Sequence, residues 1–297
     1  MATPHFGRVL TAMITPFDDN GDLDLDGAVE LAQWLVAHGN DGLVLAGTTG
    51  EAPTLTDDEK IELWTAVRAA VDVPLIAGTG SNDTRHTCGL SERAAATGVD
   101  GLLVVTPYYN RPSQAGLEAH FRAVAAATDL PVVVYDIPGR TGRKVATDLL
   151  LRLAHEVPSI VGVKDAAGDP GETARLIAQA PADFAVWSGD DPMTLPLLAV
   201  GAVGVIGTAT HWCGEVMAEL VIAFAKGDVD RAQQLNATLF ESYAYESREI
   251  AQFALAVKVA LRCMGLPNGP CRLPIGPEPA GLEAEAQGML DRLGALR

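Results

Sequence analysis

A lysine stands at position 164, near the end of the apolar stretch IVGVKDAAG (160–168). Taken out of water, an ammonium becomes more acidic, and the neutral amine that results is a nucleophile for carbonyl carbon. Residue types alone also allow a buried ion pair with a carboxylate such as Asp190. Hydroxyl groups recur at the ends of other apolar runs: Thr48 and Thr49 in GTTGE (47–51), Tyr109 in TPYYN (106–110), and Tyr135 in PVVVYDIP (131–138). Making an imine and then an enamine requires several proton transfers, which hydroxyls in a chain can relay. Arg140 follows Tyr135 by five residues, between Gly139 and Gly142. A guanidinium there can hold a carboxylate through two parallel hydrogen bonds, and a surface loop arginine is the plainer alternative.

The elements that must carry these groups repeat along the chain. Short β-branched runs at 8–17, 41–47, 74–80, 101–107, 131–138, 160–166, 184–190 and 203–209 give eight candidate strands. Amphipathic patterns lie between them, as at 25–39, 57–71 and 114–128. The runs are apolar on both faces, which suits a parallel sheet covered by helices. Eight such units predict an α/β fold, a (β/α)₈ barrel. An open dinucleotide-binding sheet is the competitor, but GTGSND (78–83) lacks the third glycine of its fingerprint. Residues 1–225 are assigned to the catalytic barrel and 226–297 to a helical extension packed on it, with helices expected at 215–226, 229–247, 249–264 and 282–295. Chemistry in such barrels sits at the C-terminal strand ends, where the lysine, the hydroxyls, Arg140 and Ser188-Gly189-Asp190-Asp191 all fall.

Composition narrows the partners. Lys and Arg number 21 against 38 Asp and Glu, a formal charge of −17. That field repels nucleic acid and acidic lipid surfaces, so neither is expected as a partner. The four cysteines show no metal spacing and are expected as buried, reduced thiols; no metal is expected. MATPHFGRVL does not read as a signal peptide and no apolar run has membrane-spanning length, so a cytoplasmic location is expected.

GTTGE (47–51), VTPYYNRPSQAGLEAHF (105–121), YDIPGRTG (135–142), GVKDAAGD (162–169) and SGDD (188–191) together resemble the dihydrodipicolinate synthase family. The order holds over about 7–275, and GPCRLPIGP (269–277) resembles its actinobacterial members. The resemblance implies a pyruvate-dependent class I aldolase. It would condense pyruvate, held as an imine and enamine on Lys164, with L-aspartate 4-semialdehyde in lysine and diaminopimelate biosynthesis. Tyr135 would pass protons in a relay with Thr49 and with Tyr109 of a neighbouring subunit. Arg140 would bind the aldehyde substrate's carboxylate. Thr48, Thr49 and Ile206 would line the pyruvate pocket, and Gly189 is a further substrate-binding candidate. The family implies no cofactor and a homotetramer built as a dimer of dimers. Tyr108 and Tyr109, read as strand neighbours, are expected to face opposite sides. Two departures are expected to touch the pocket wall: Asp136 where asparagine is common, and GVIGTATH (204–211), which lacks a serine after Ile206 and places His211 near a usual asparagine. His86 and Lys60 replace the glutamate and histidine of lysine-sensitive members, which implies weak feedback by lysine. A sibling lyase acting on N-acetylneuraminate or a keto-sugar acid is the nearest alternative. A non-catalytic keto-acid sensor is the more distant one.

Overall fold

A computed structural model of the chain describes residues 4–247 and 253–295. Eight parallel strands close into a barrel in sequence order: β1 (Val9–Ala12), β2 (Gly42–Leu45), β3 (Leu75–Gly78), β4 (Gly101–Val105), β5 (Val132–Asp136), β6 (Ile160–Asp165), β7 (Ala185–Ser188) and β8 (Gly204–Gly207). Each expected run contains one strand. The strands are shorter than the runs because the ladder stops where the polar and glycine-rich turns begin. Nearly every strand residue is buried, as parallel strands covered on both faces require.

The helices are α1 (Leu25–Ala37), α2 (Asp57–Ala70), α3 (Thr84–Ala95), α4 (Gln114–Ala125), the single turn α5 (Pro138–Thr141), α6 (Thr147–Glu156), α7 (Pro170–Gln179), α8 (Thr194–Ala199), α9 (Thr210–Ala225), α10 (Val229–Glu246), α11 (Phe253–Cys263) and α12 (Leu282–Ala295). Residues 249–252 of the third expected C-terminal helix lie outside the described residues. Short polar side chains start many of these helices. Asp24 accepts from Gly27 N at 2.8 Å, Ser113 from Gly116 N at 3.2 Å and Asp169 from Glu172 N at 3.1 Å. Thr56 and Glu59 form a reciprocal capping box on α2. Each such cap contributes about 1 kcal/mol.

The chain divides into two compact units. One comprises the residues up to Arg8 with Pro74–Ile206. Here Trp187, fully buried on β7, donates from its indole nitrogen to Gly7 O at 2.9 Å. The other comprises Val9–Val73 and Gly207–Arg297. In it the Thr11 hydroxyl bridges Asn40 Oδ1 at 2.5 Å and Thr210 Oγ1 at 2.7 Å, all three buried. The last strand-to-helix passage differs from expectation: α9 begins at Thr210 and breaks at Cys213, whose φ is −129°. Gly214 explains the break, since a Cβ there would lie 2.4 Å from His38 O. Regular helix resumes beyond it, where the sequence pattern had placed its start. No described helix is long and apolar enough to cross a membrane. Of the four cysteines only Cys213 is buried; Cys88, Cys263 and Cys271 are free thiols at partly exposed positions, which corrects the expected burial.

Candidate active site

Strand alternation decides where the chemistry-bearing residues of β5 and β6 point. Adjacent side chains on a strand face opposite ways. Asp165 turns to the helix layer, accepting from Thr173 Oγ1 at 2.6 Å and from Ala167 N at 2.9 Å. Lys164, its neighbour, therefore points into the barrel. Asp136 likewise turns outward, taking Lys144 Nζ and Val145 N at 3.1 Å each, which leaves Tyr135 facing inward. The ladder pairs Tyr135 with Lys164 directly. Lys164 Nζ consequently lies 4.5 Å from the centroid of the Tyr135 ring.

Both side chains are nearly closed off from water, Lys164 at 5% exposure and Tyr135 at 4%. Burial lowers the Lys164 ammonium from 10.5 to about 8. Asp191 and Asp190 pull in the opposite direction, and the Arg140 cation adds to the lowering. A usable fraction of the amine is thus neutral near pH 7, while nearby anions support its charged form. Among the described residues Asp190 makes no salt bridge with Lys164, so the ion pair does not form with that carboxylate. On the β7 side the lysine stem packs on Gly189. A Cβ at that position would stand 2.9 Å from Lys164 Cγ and 3.0 Å from Ala166 Cβ. Glycine at 189 makes room for the lysine.

Arg140 sits in the single-turn α5, ended by Gly142 at φ 69°. The segment is fastened at several points: Arg111 Nε donates to Gly142 O at 3.1 Å, Gln114 Nε2 to Lys144 O at 2.9 Å, and Gln114 Oε1 accepts from Ala146 N at 2.9 Å. The Asp136 carboxylate closes it from beneath. Asp136 is therefore no part of a pocket wall, contrary to the sequence expectation. It clamps the loop that presents Arg140. His211 is corrected in the same way. Its Nε2 accepts from Ile14 N at 3.1 Å and its Nδ1 lies 2.7 Å from Thr208 O, so the fully buried ring joins two backbone segments.

Thr48 and Thr49 follow β2 in the other unit, Thr49 buried and Thr48 half-buried. Their turn bends sharply, with Ala46 at φ 53° and Glu51 at φ 57°. An ion pair fixes its far side. Lys258 Nζ meets Glu51 Oε1 at 2.6 Å with both side chains buried, and Glu51 Oε2 accepts from Arg272 N at 2.8 Å. The Arg272 guanidinium grips Glu59 at 2.5 and 3.0 Å, and mainly this pair holds the Glu59 carboxyl down to about 2. The C-terminal CRLP motif thereby anchors the GTTGE turn.

Tyr108 and Tyr109 are not strand neighbours, because β4 ends at Val105. Asn110 N returns to Tyr108 O at 2.9 Å, Tyr109 takes φ 73°, and its ring is 90% exposed. The structure thus brings Lys164 and Tyr135 together and places Gly189 against the lysine. It leaves the Tyr109 ring in solvent. Ile206 is fully buried on β8. Sequence reasoning gave Asp191 no role of its own, although its position two residues after Gly189 was a usable signal.

A closed (β/α)₈ barrel with an inward, water-poor lysine defines an enzyme of the parallel-barrel class. Comparison with known proteins resolves the family. The chain matches the dihydrodipicolinate synthetase family over residues 5–291 and belongs to it. It is 53% identical over 273 residues to the 4-hydroxy-tetrahydrodipicolinate synthase of Moorella thermoacetica, covering 91% of this chain and 92% of the relative. Its fold matches the dihydrodipicolinate synthase of Bacillus anthracis with TM-score 0.93 at 41% identity, over 97% of this chain and 98% of that one. The enzyme of Cyanidioschyzon merolae, solved with lysine bound, matches with TM-score 0.94 at 38% identity, over 98% and 99%.

Proposed function

We propose that this enzyme condenses pyruvate with L-aspartate 4-semialdehyde, as a 4-hydroxy-tetrahydrodipicolinate synthase of lysine and diaminopimelate biosynthesis. The observation that carries the reading is Lys164, buried over the Tyr135 ring with its amine brought to about 8. The neutral amine adds to the ketone carbon of pyruvate; the carbon–oxygen bond breaks and water leaves. Loss of a methyl proton from the resulting imine yields an enamine, whose carbon attacks the aldehyde carbon while the aldehyde oxygen takes up a proton. Attack of the substrate's own nitrogen on the imine carbon closes the ring and frees Lys164.

Tyr135, whose ring centroid lies 4.5 Å from the amine, moves these protons, with Thr49 and a partner subunit's tyrosine at the position of Tyr109 completing the relay. The exposed, backbone-fixed ring of Tyr109 supports that assignment, and with it a homo-oligomer, a tetramer of paired dimers. Arg140 holds the aldehyde substrate's carboxylate. Thr48, Thr49, Ile206 and Gly189 shape the pyruvate pocket. The imine itself withdraws the electrons the reaction needs, so the reading requires no cofactor or metal. A cytoplasmic location fits the pathway. The names of the curated relatives favour this activity over a sugar-acid lyase.

The test is turnover of pyruvate with L-aspartate 4-semialdehyde, set beside cleavage of N-acetylneuraminate and keto-sugar acids. Borohydride added with pyruvate should leave a stable mass adduct on Lys164, and Lys164→Arg should abolish it because a guanidinium stays protonated. Label on another lysine, or preference for the sugar acids, would overturn the proposal.

A further inference from the structure

We propose that Asp190 receives the ammonium group of the second substrate, so that the site selects an amino-acid semialdehyde over the same chain without nitrogen. This rests on the reading of Lys164 and Arg140 just given.

Asp190 directly follows Gly189, whose backbone packs against the Lys164 stem, 2.9 Å separating a Cβ position there from Lys164 Cγ. Its own backbone is held rigidly. Ser188 Oγ donates to Asp190 O at 2.7 Å and accepts from Asp190 N at 3.3 Å, and Met193 N donates to the same carbonyl at 3.0 Å. The side chain is not held. Among the described residues no donor reaches its carboxylate, although it is half-buried beside Lys164. Two other withdrawn carboxylates of this unit are answered: Asp136 by Lys144 and Val145 N, and Asp165 by Thr173 and Ala167 N. A half-buried carboxylate without a donor is costly unless a cation arrives.

Charge accounting through the reaction points to when it arrives. In the free enzyme the protonated share of Lys164 balances Asp191 and Asp190 together, and Lys164 in turn lowers the titration of Asp190. Once the lysine has become a neutral enamine, that balance is gone. The next species to enter is a zwitterion carrying one carboxylate and one ammonium. Arg140 and Asp190 both act on the lysine amine, one lowering and one raising its titration, so the reacting nitrogen feels both a cation and an anion of this chain. A substrate with opposite charges on one carbon fits that pair. Neutralising Asp190 would not slow imine formation, because losing a nearby anion makes the lysine amine easier to deprotonate.

The experiment compares Asp190→Asn and Asp190→Glu with wild type on two aldehydes. For L-aspartate 4-semialdehyde, kcat/KM is read. Succinate semialdehyde has no nitrogen to close the ring and release the lysine. For it, the reading is the rate, per unit concentration, at which the pyruvate imine on Lys164 is replaced by the heavier carbon–carbon adduct, both read by quenching samples with borohydride. Asp190→Asn should lower the first quantity by about 10- to 150-fold, the range for losing a charged hydrogen bond, and change the second by less than about threefold. Asp190→Glu should keep most of the discrimination, and pyruvate trapping should be undiminished in both variants. Equal losses on the two aldehydes, or slowed trapping, would mean that Asp190 serves the lysine or the fold and overturn the assignment. An unchanged kcat/KM in Asp190→Asn would overturn it as well. Wild-type enzyme that traps pyruvate yet ignores L-aspartate 4-semialdehyde would remove the proposed function itself, and this assignment with it.

Discussion

Lys164 and Tyr135 are ladder partners on adjacent parallel strands, and this pairing sets the lysine nitrogen 4.5 Å from the centroid of the tyrosine ring. Neither side chain can move to the other face without breaking strand register, since their neighbours Asp165 and Asp136 are bonded there. Preorganisation of amine and hydroxyl is thus a property of the β5–β6 ladder.

The lowered lysine titration has a pH consequence. With its amine at about 8 in place of 10.5, roughly a tenth is neutral at pH 7, against fewer than one in a thousand ordinarily. Initial rates of pyruvate trapping by borohydride should rise with pH and level off above about 8. A rise that continues to pH 10 would mean the amine is not desolvated.

Gly189→Ala tests the packing against the lysine. The added methyl would meet Lys164 Cγ at 2.9 Å and Ala166 Cβ at 3.0 Å, too close for either to remain in place. Activity should fall at least about tenfold, since small misplacements of reacting groups are costly, while thermal unfolding moves by only a few degrees. Full activity in a folded variant would show that the lysine does not use this stem position.

Tyr109 should act across subunits. Its φ of 73° and 90% exposure hold the ring out from its own chain. Separately inactive Tyr109→Phe and Lys164→Ala chains, mixed into verified hybrid dimers, should recover part of the activity. Hybrids that stay dead would indicate a site complete within one chain.

His211 makes the fold acid-sensitive. Burial keeps its ring neutral, lowering it from 6.5 to about 4. Because the folded value is the lower one, the unfolded chain binds the extra proton first, and stability is lost as pH falls from 6.5 to 4. The loss is about 3 kcal/mol by linkage. His120, also lowered to about 4 chiefly by burial, acts in the same direction. Urea unfolding of wild type and His211→Asn at pH 7.5 and 4.5 measures the difference, which the variant should shrink. Identical pH dependence in both proteins would clear His211 of this role.

Free lysine should inhibit weakly or not at all. Asp57, the carboxylate best able to replace the glutamate of lysine-sensitive relatives, is already drawn to Lys60, 3.8 Å away. Position 86 is histidine, its Nδ1 3.3 Å from Ser81 Oγ. Initial rates measured up to tens of millimolar lysine decide it, roughly the range that fills a millimolar site. Half-inhibition below one millimolar would refute the expectation.

What the sequence determined was the order of the elements, and it singled out the candidate nucleophile. Runs such as PVVVYDIP and IVGVKDA are apolar on both faces, and only a parallel sheet buried on both sides accommodates eight of them; a lysine inside one of them had to lose water. The side-chain directions came from the tertiary structure alone. Asp136 was expected in a pocket wall and instead clamps the Arg140 loop; Tyr108 and Tyr109 were read as strand neighbours and lie in a turn with positive φ; His211 joins two backbone segments. Composition reveals that a residue is polar, whereas its surroundings depend on strand register and on partners such as Ile14 for His211, nearly two hundred residues apart in the chain. Asp190 shows the same limit from the other side, since only the packed structure reveals that its carboxylate has no donor among the described residues.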